Sequence, residues 1–115
     1  MLTRDERLLR DIVGACERII GFMQSTSRQA FLSDALLQSG DAYQLVIIGE
    51  ASGHLSSEVR DRHDDIPWKA IRGLRNVVTH EYRRLDLDTL YITATAEVPE
   101  LLQKILNILR DGPKI

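Results

Sequence analysis

The sequence is poor in cysteine, aromatics and long apolar runs, and each scarcity excludes something. A single cysteine, Cys16, rules out an internal disulfide framework. Its place in an apolar helical pattern predicts a buried, inert thiol and a reducing, cytoplasmic setting. Aromatic side chains make up 5% of the chain against 43% hydrophobic residues, so the apolar content is mostly Leu, Ile, Val and Ala. That composition suits packed helices better than aromatic-rich strands. The longest apolar stretch, Leu45 to Ala51, is interrupted by Gly49 and Glu50 and falls far short of the roughly 20 residues needed to cross a bilayer. The opening Met1-Leu2-Thr3-Arg4-Asp5-Glu6-Arg7 has charges of both signs and no apolar signal-peptide core. A soluble protein without membrane contact is expected. A net charge of −2 argues against a protein that coats nucleic acid by bulk electrostatics.

What is present is helical periodicity. At 115 residues the chain has room for one domain, 1–115, with its own core. Leu9, Ile12, Val13, Cys16, Ile19, Ile20 and Met23 recur every three or four positions and predict an amphipathic helix over about 5–24. A Ser cap after the polar break at Ser25-Thr26-Ser27 predicts a short helix carrying Phe31, Ala35 and Leu36 and stopping at Gly40. Asp41 is expected to cap a third helix running to about residue 60, with Leu45, Ile48, Ser52, Leu55 and Val59 inward. Gly49 and Gly53 lie one turn apart on it, a place for close helix approach within the bundle or between subunits. Glu50, His54 and Glu58 follow at i, i+4 and i+8 and are read as an exposed row, not as metal ligands. Residues 61–67 read as a polar loop ending at Pro67, followed by a fourth helix over 68–85. Pro99 then divides a short helix, 88–97, from a last one, 99–110. The fold class is all-α.

Charge is distributed unevenly. Between residues 69 and 84, Lys69, Arg72, Arg75, Arg83 and Arg84 face one acid, Glu81. Within this stretch Arg75-Asn76-Val77-Val78-Thr79-His80-Glu81-Tyr82 joins a permanent cation, a side chain that titrates near neutrality and a phenol. Such a set can hold a phosphodiester and move protons on it. On an ideal helix Ile71, Leu74, Val78 and Leu85 fall in an apolar arc about 60° wide, with Tyr82 and Arg75 about 20° and 40° from Ile71 at its edge. Arg75 and His80 lie about 140° apart, so one ideal helix does not converge them. A helix distortion, long side-chain reach or a second copy of the helix is required. Asn76 and His80, four apart, can touch. If RNA binds, His80 can act as general base on a ribose 2′-hydroxyl or as general acid on the departing 5′-oxygen, and Arg75 can neutralise charge on the phosphorane. Asn76, Arg72, Thr79 and Lys69 are candidate supporting contacts to RNA. No carboxylate set has two-metal spacing, so metal-independent chemistry is expected.

Three blocks carry a family resemblance: Tyr43-Gln44-Leu45-Val46-Ile47-Ile48-Gly49-Glu50-Ala51, then Ile66-Pro67-Trp68 through Arg75-Asn76-Val77-Val78-Thr79-His80-Glu81-Tyr82, then Val98-Pro99-Glu100-Leu101-Leu102. Together they resemble the HepT-like (DUF86) family of HEPN-domain proteins. The resemblance implies an all-α HEPN bundle, homodimeric, with Arg75 and His80 of both subunits in a shared cleft acting as a metal-independent endoribonuclease. It also implies a toxin neutralised by a minimal nucleotidyltransferase antitoxin. That partner uses ATP and Mg²⁺ to transfer AMP to the motif tyrosine, Tyr82 here, and the chain itself needs no cofactor. A catalytically inactive HEPN subunit that binds a nucleotidyltransferase is the alternative. The segment Tyr91-Ile92-Thr93-Ala94-Thr95-Ala96-Glu97 departs from the family's usual pattern of a Trp and an Asn-Asp pair.

Overall fold

The computed structural model describes residues 3–80 and 86–111, with the side chains of 76–80 outside that description. The described residues form helices without strands. Helix α1, Arg4–Met23, starts on Thr3, whose hydroxyl accepts from the Glu6 amide at 3.1 Å, and Asp5 and Glu6 place negative charge at its N-terminal end. Its apolar face is the one the periodicity predicts: Leu9, Ile12, Cys16, Ile19 and Met23 are buried. Burial, with a smaller contribution from Glu17, pushes the Cys16 thiol up to about 12. The thiol is thus neutral and enclosed, as expected.

The second and third helices meet at a different place from the one the sequence suggests. Helix α2, Arg28–Leu32, is capped by Ser27 but ends before Asp34, whose carboxylate accepts from the Leu37 amide at 3.0 Å and starts helix α3, Ala35–Gly53. Gly40 does not end a helix, and Asp41 does not begin one. The stronger signal is Asp34 followed by Ala-Leu-Leu-Gln, good helix formers with no breaker. Gly40 is accommodated inside α3, where the Phe22 ring lies 3.5 Å from the position its Cβ would take. Asp41 is carried into the core: it is fully buried, and neither carboxylate oxygen has a hydrogen-bond partner among the described residues.

Helix α3 also stops earlier than expected. His54 closes it, and Ser56 begins a separate helix α4, Ser57–Arg62. The Ser56 hydroxyl accepts from the Val59 amide and donates to Asp5 Oδ2 at 2.8 Å, while the Ser56 amide donates to Asp5 Oδ1 at 3.0 Å. A cap anchored to α1 therefore outweighs the apolar periodicity that continues through Leu55 and Val59.

Helix α5, Trp68–His80, begins after Pro67, whose carbonyl accepts from the Ile71 amide. Helix α6, Leu87–Ile92, is capped by Asp86. Hydrogen bonds from the Thr89 hydroxyl and the Asp88 amide hold that carboxyl below its ordinary range. An ion pair between Arg28 and Asp88 ties α2 to α6. Pro99 does not divide the remainder. A π-helical turn, Thr93–Glu97, leads directly into helix α7, Val98–Asp111, with the Val98 amide bonded five residues back to the Thr93 carbonyl. Pro99 sits in the first turn of α7, and the widened turn before it relieves the missing N–H and the ring's crowding of the preceding turn. This turn lies within the segment 91–97, where the sequence departs from the pattern of the family it resembles.

Helix α1 lies against α3 and α7, and α3 lies against α5. Ile105 and Ile108 of α7 and Ile71 of α5 complete the core with Phe31, Leu45, Ile48 and Leu90. The α3–α5 contact is unusually close at Gly49. A Cβ there would lie 2.9 Å from the Arg75 amide nitrogen and 3.1 Å from the Ile71 carbonyl oxygen, both backbone atoms that have no rotamer to yield. The Ser52 hydroxyl donates to the Gly49 carbonyl at 3.0 Å and occupies that polar group. The glycine pair thus serves packing within one chain.

Gly49→Ala is expected to destabilise the fold by about 1–3 kcal/mol through overpacking, read as a lower urea midpoint with unchanged slope; parental stability would show that the helices can separate without cost. Burial raises the Asp41 carboxyl to about 7. The folded chain therefore keeps this proton to about pH 7, whereas the unfolded chain releases it near 4. Stability from the neutral acid is full below about pH 4 and is lost as pH rises to about 7, up to roughly 3–4 kcal/mol in all. Asp41→Asn should flatten unfolding free energy against pH over that window and be more stable than the parent at pH 8; identical pH profiles would contradict the assignment.

Candidate functional site

Helix α5 presents two different sides. Ile71 is buried and Leu74 half-buried, bordering an apolar groove of about 330 Å³ shared with Leu45, Ile48, Val98 and Leu101. Arg75 lies at the edge of this side, half-buried, while Lys69 and Arg72 are exposed. The start of the helix is fixed by Trp68, whose indole N–H donates to the His63 carbonyl at 2.9 Å while its ring is buried. His63 thus acts through its backbone, holding the end of the loop against the helix that carries the motif.

Arg75 is positioned from both helices. The Gly49 contact brings the α5 backbone at Arg75 against α3, and the next residue of α3, Glu50, reaches the guanidinium: Glu50 Oε1 lies 3.5 Å from Arg75 Nη1. The other carboxylate oxygen lies 3.7 Å from His54 Nε2. Glu50 therefore sits between a permanent cation and an imidazole that joins the pair electrostatically when protonated. Glu58 belongs to α4 and does not continue the Glu50–His54 row, because the Ser56 cap intervenes. Glu50 is a site residue that sequence reasoning passed over as an exposed charge. Its signal was adjacency to Gly49: where a glycine packs on a neighbouring helix, the following residue reaches that helix's edge.

The structure brings Lys69, Arg72 and Arg75 together on one concave surface of about 500 Å³, lined also by Arg60, Trp68 and Gly73. The stem of Arg72 passes over Gly53, 3.6 Å from where a Cβ would stand. Arg60, from α4, is a second residue that sequence reasoning missed, since it lies outside the basic stretch and arrives only through the turn between α4 and α5. Asn76, Thr79 and His80 lie on the backbone of α5, with their side chains outside the described residues, and Tyr82 lies outside them altogether. The described backbone stays α-helical from Trp68 to His80, which keeps the backbone positions of residues 75 and 80 about 140° apart around the helix. Among the described residues no three His, Cys, Asp or Glu side chains gather as metal ligands, and no helix is long and apolar enough to cross a membrane.

The Glu50–Arg75 pair is half exposed, so its direct contribution to stability is about 1 kcal/mol or less. Glu50→Gln is expected to shift unfolding free energy by no more than that. A loss of twice as much in urea denaturation would mean that the ion pair, and not the Gly49 contact, holds α5 to α3.

Comparison with known proteins agrees with this architecture. A family model described as ribonuclease HepT-like matches residues 12–108. A candidate RNase of Caldanaerobacter subterraneus subsp. tengcongensis, TTE0752, is 34% identical over 102 residues, covering 89% of this chain and 91% of its own length. A protein of Thermococcus cleftensis named "Probable ribonuclease HepT" is 32% identical over 96 residues, covering 84% of this chain and 87% of its own. A candidate RNase of Methanocaldococcus jannaschii, MJ1380, is 28% identical over 106 residues, covering 91% and 97%. No solved structure matches significantly. With its all-helical fold and the Arg75–His80 motif on α5, the chain belongs to the ribonuclease HepT-like family.

Proposed function

We propose that this protein is the toxin of a toxin–antitoxin pair, a metal-independent endoribonuclease whose site is shared between two copies of the chain. The observation that carries the proposal is Arg75, held half-buried at the edge of α5 within a basic concavity and five residues before His80 on the same helix. The guanidinium grips two oxygens of the scissile phosphate and stabilises charge as the 2′-oxygen attacks phosphorus. The bond from phosphorus to the 5′-oxygen breaks; one proton leaves the 2′-hydroxyl and one arrives on the 5′-oxygen. His80 of one chain takes one of these roles, and its copy in the second chain takes the other. Because the described α5 backbone is regular, the second chain is the economical way to unite groups that face apart on one helix. Asn76 orients the imidazole or contacts the phosphate, and Thr79, Arg72 and Lys69 add contacts to RNA.

Silencing follows from the same charge. A cognate nucleotidyltransferase, using ATP and Mg²⁺, transfers AMP to the Tyr82 hydroxyl and releases pyrophosphate. The added phosphate is an anion that competes with RNA for Arg75.

In EDTA, the chain expressed alone is expected to cleave RNA, and His80→Ala to lose at least about 100-fold in rate with unchanged helical circular dichroism. Co-expression with the nucleotidyltransferase should add one AMP-sized mass to the parent and none to Tyr82→Phe. Full activity in His80→Ala would refute the mechanism, whereas no cleavage and no added mass would favour a non-catalytic subunit that binds the nucleotidyltransferase.

A further inference from the structure

Of the cations in the concavity beside Arg75, three take no part in the bond changes and proton transfers just described: Lys69 and Arg72 have only general contacts to RNA, and Arg60 has none. Arg60 is half-buried on α4, and Lys69 and Arg72 are exposed on α5. Among the described residues none of the three has a carboxylate partner within 4.0 Å, and no acid lines the concavity. Three cations of one sign, gathered on a hollow without carboxylate partners, raise its positive potential and attract an anion. At about 500 Å³ the hollow has room for a nucleotide-sized anion.

Placement gives the hollow a direction. Lys69, Arg72 and Arg75 are spaced three residues apart on α5, so adjacent members stand about 5–6 Å apart at Cβ. That is comparable to the distance between successive phosphates on a single strand. The row winds away from the apolar side of the helix as it runs from Arg75 towards Lys69, and Arg60 faces it from α4. Gly73 forms part of the floor, and a Cβ added there meets nothing within 4 Å. The hollow is therefore open at this point, with room for a ligand to reach the helix surface.

We infer that Arg60, Lys69 and Arg72 form a second phosphate subsite next to Arg75, which takes the phosphodiester adjacent to the scissile one and fixes the register of single-stranded RNA in the site. This inference rests on the proposed ribonuclease function. It assigns Arg60 to RNA binding and confines the roles of Lys69 and Arg72 to binding. Phosphate contacts position a strand without reading its bases, so this subsite sets where the strand lies and adds no base preference.

The test uses two readouts on the full chain. Binding of a short 2′-O-methyl single-stranded RNA, which lacks the attacking hydroxyl, is followed by fluorescence anisotropy across a salt series. Cleavage of the matching unmodified RNA is followed in parallel. Arg60→Gln and Lys69→Gln should each weaken binding about 5–20-fold and lower the salt slope by about 0.7 per lost contact, with KM raised and kcat within about twofold. Gly73→Gln keeps every charge, improves helix propensity and fills the floor, so it should weaken binding at unchanged salt slope and undiminished thermal stability.

Parental affinity and salt slope in Arg60→Gln and in Gly73→Gln, with the parent still binding and cleaving RNA, would overturn the subsite while leaving the ribonuclease function standing. So would unchanged RNA binding accompanied by lost assembly with the nucleotidyltransferase, which would assign the hollow to that protein. A parent that neither binds nor cleaves RNA would instead remove the proposed function and this inference together.

Discussion

The site depends on a contact between two backbones. Where α3 crosses α5, Gly49 lies so near the Arg75 amide and the Ile71 carbonyl that even a methyl group would meet main-chain atoms. This approach sets the position of α5, and the neighbours of Gly49 exploit it. Ser52 satisfies the Gly49 carbonyl, Glu50 reaches Arg75, and Gly53 gives passage to the stem of Arg72. A local absence of side chains thus places a guanidinium at the mouth of a basic hollow with its backbone fixed from behind. In the proposed reaction such preorganisation would favour catalysis, because a cation already in position need not reorganise when charge develops on phosphorus.

The periodic elements were legible in the sequence because their physics is local. The apolar face of α1 and the apolar side of α5 at Ile71 and Leu74 follow from spacing of three and four, and the start of α5 follows from Pro67. Boundaries set by competition between signals were not legible. Asp34 and Asp41 are both plausible caps, and only the tertiary structure shows that Asp34 bonds an amide while Asp41 enters the core. Ser56 ends a periodic stretch because Asp5, fifty-one residues earlier, holds it. Pro99 looks like a divider until the π turn before it absorbs its geometry. In each case a contact distant in sequence, or a rarer backbone form, outweighed the local preference.

The candidate site was legible in part for the same reason. Arg75, Arg72 and Lys69 share one helix, so their spacing placed them on adjoining faces, and the structure joins them in one hollow. Glu50 and Arg60 come from other helices: Glu50 reaches Arg75 only through the Gly49 crossing, and Arg60 reaches the hollow only through the turn at His63 and Trp68. The angular separation of Arg75 and His80 was also visible from helical geometry, and the regular α5 backbone retains it. That separation is the physical reason the proposed site draws on two chains.

The most direct measurement is cleavage rate per chain against chain concentration in EDTA, with sedimentation velocity on the same dilutions. A site completed by a second chain predicts a rate per chain that tracks the dimer fraction and vanishes as monomers come to dominate. A rate per chain that stays constant into the monomeric range would contradict it and require Arg75 and His80 to converge within one chain.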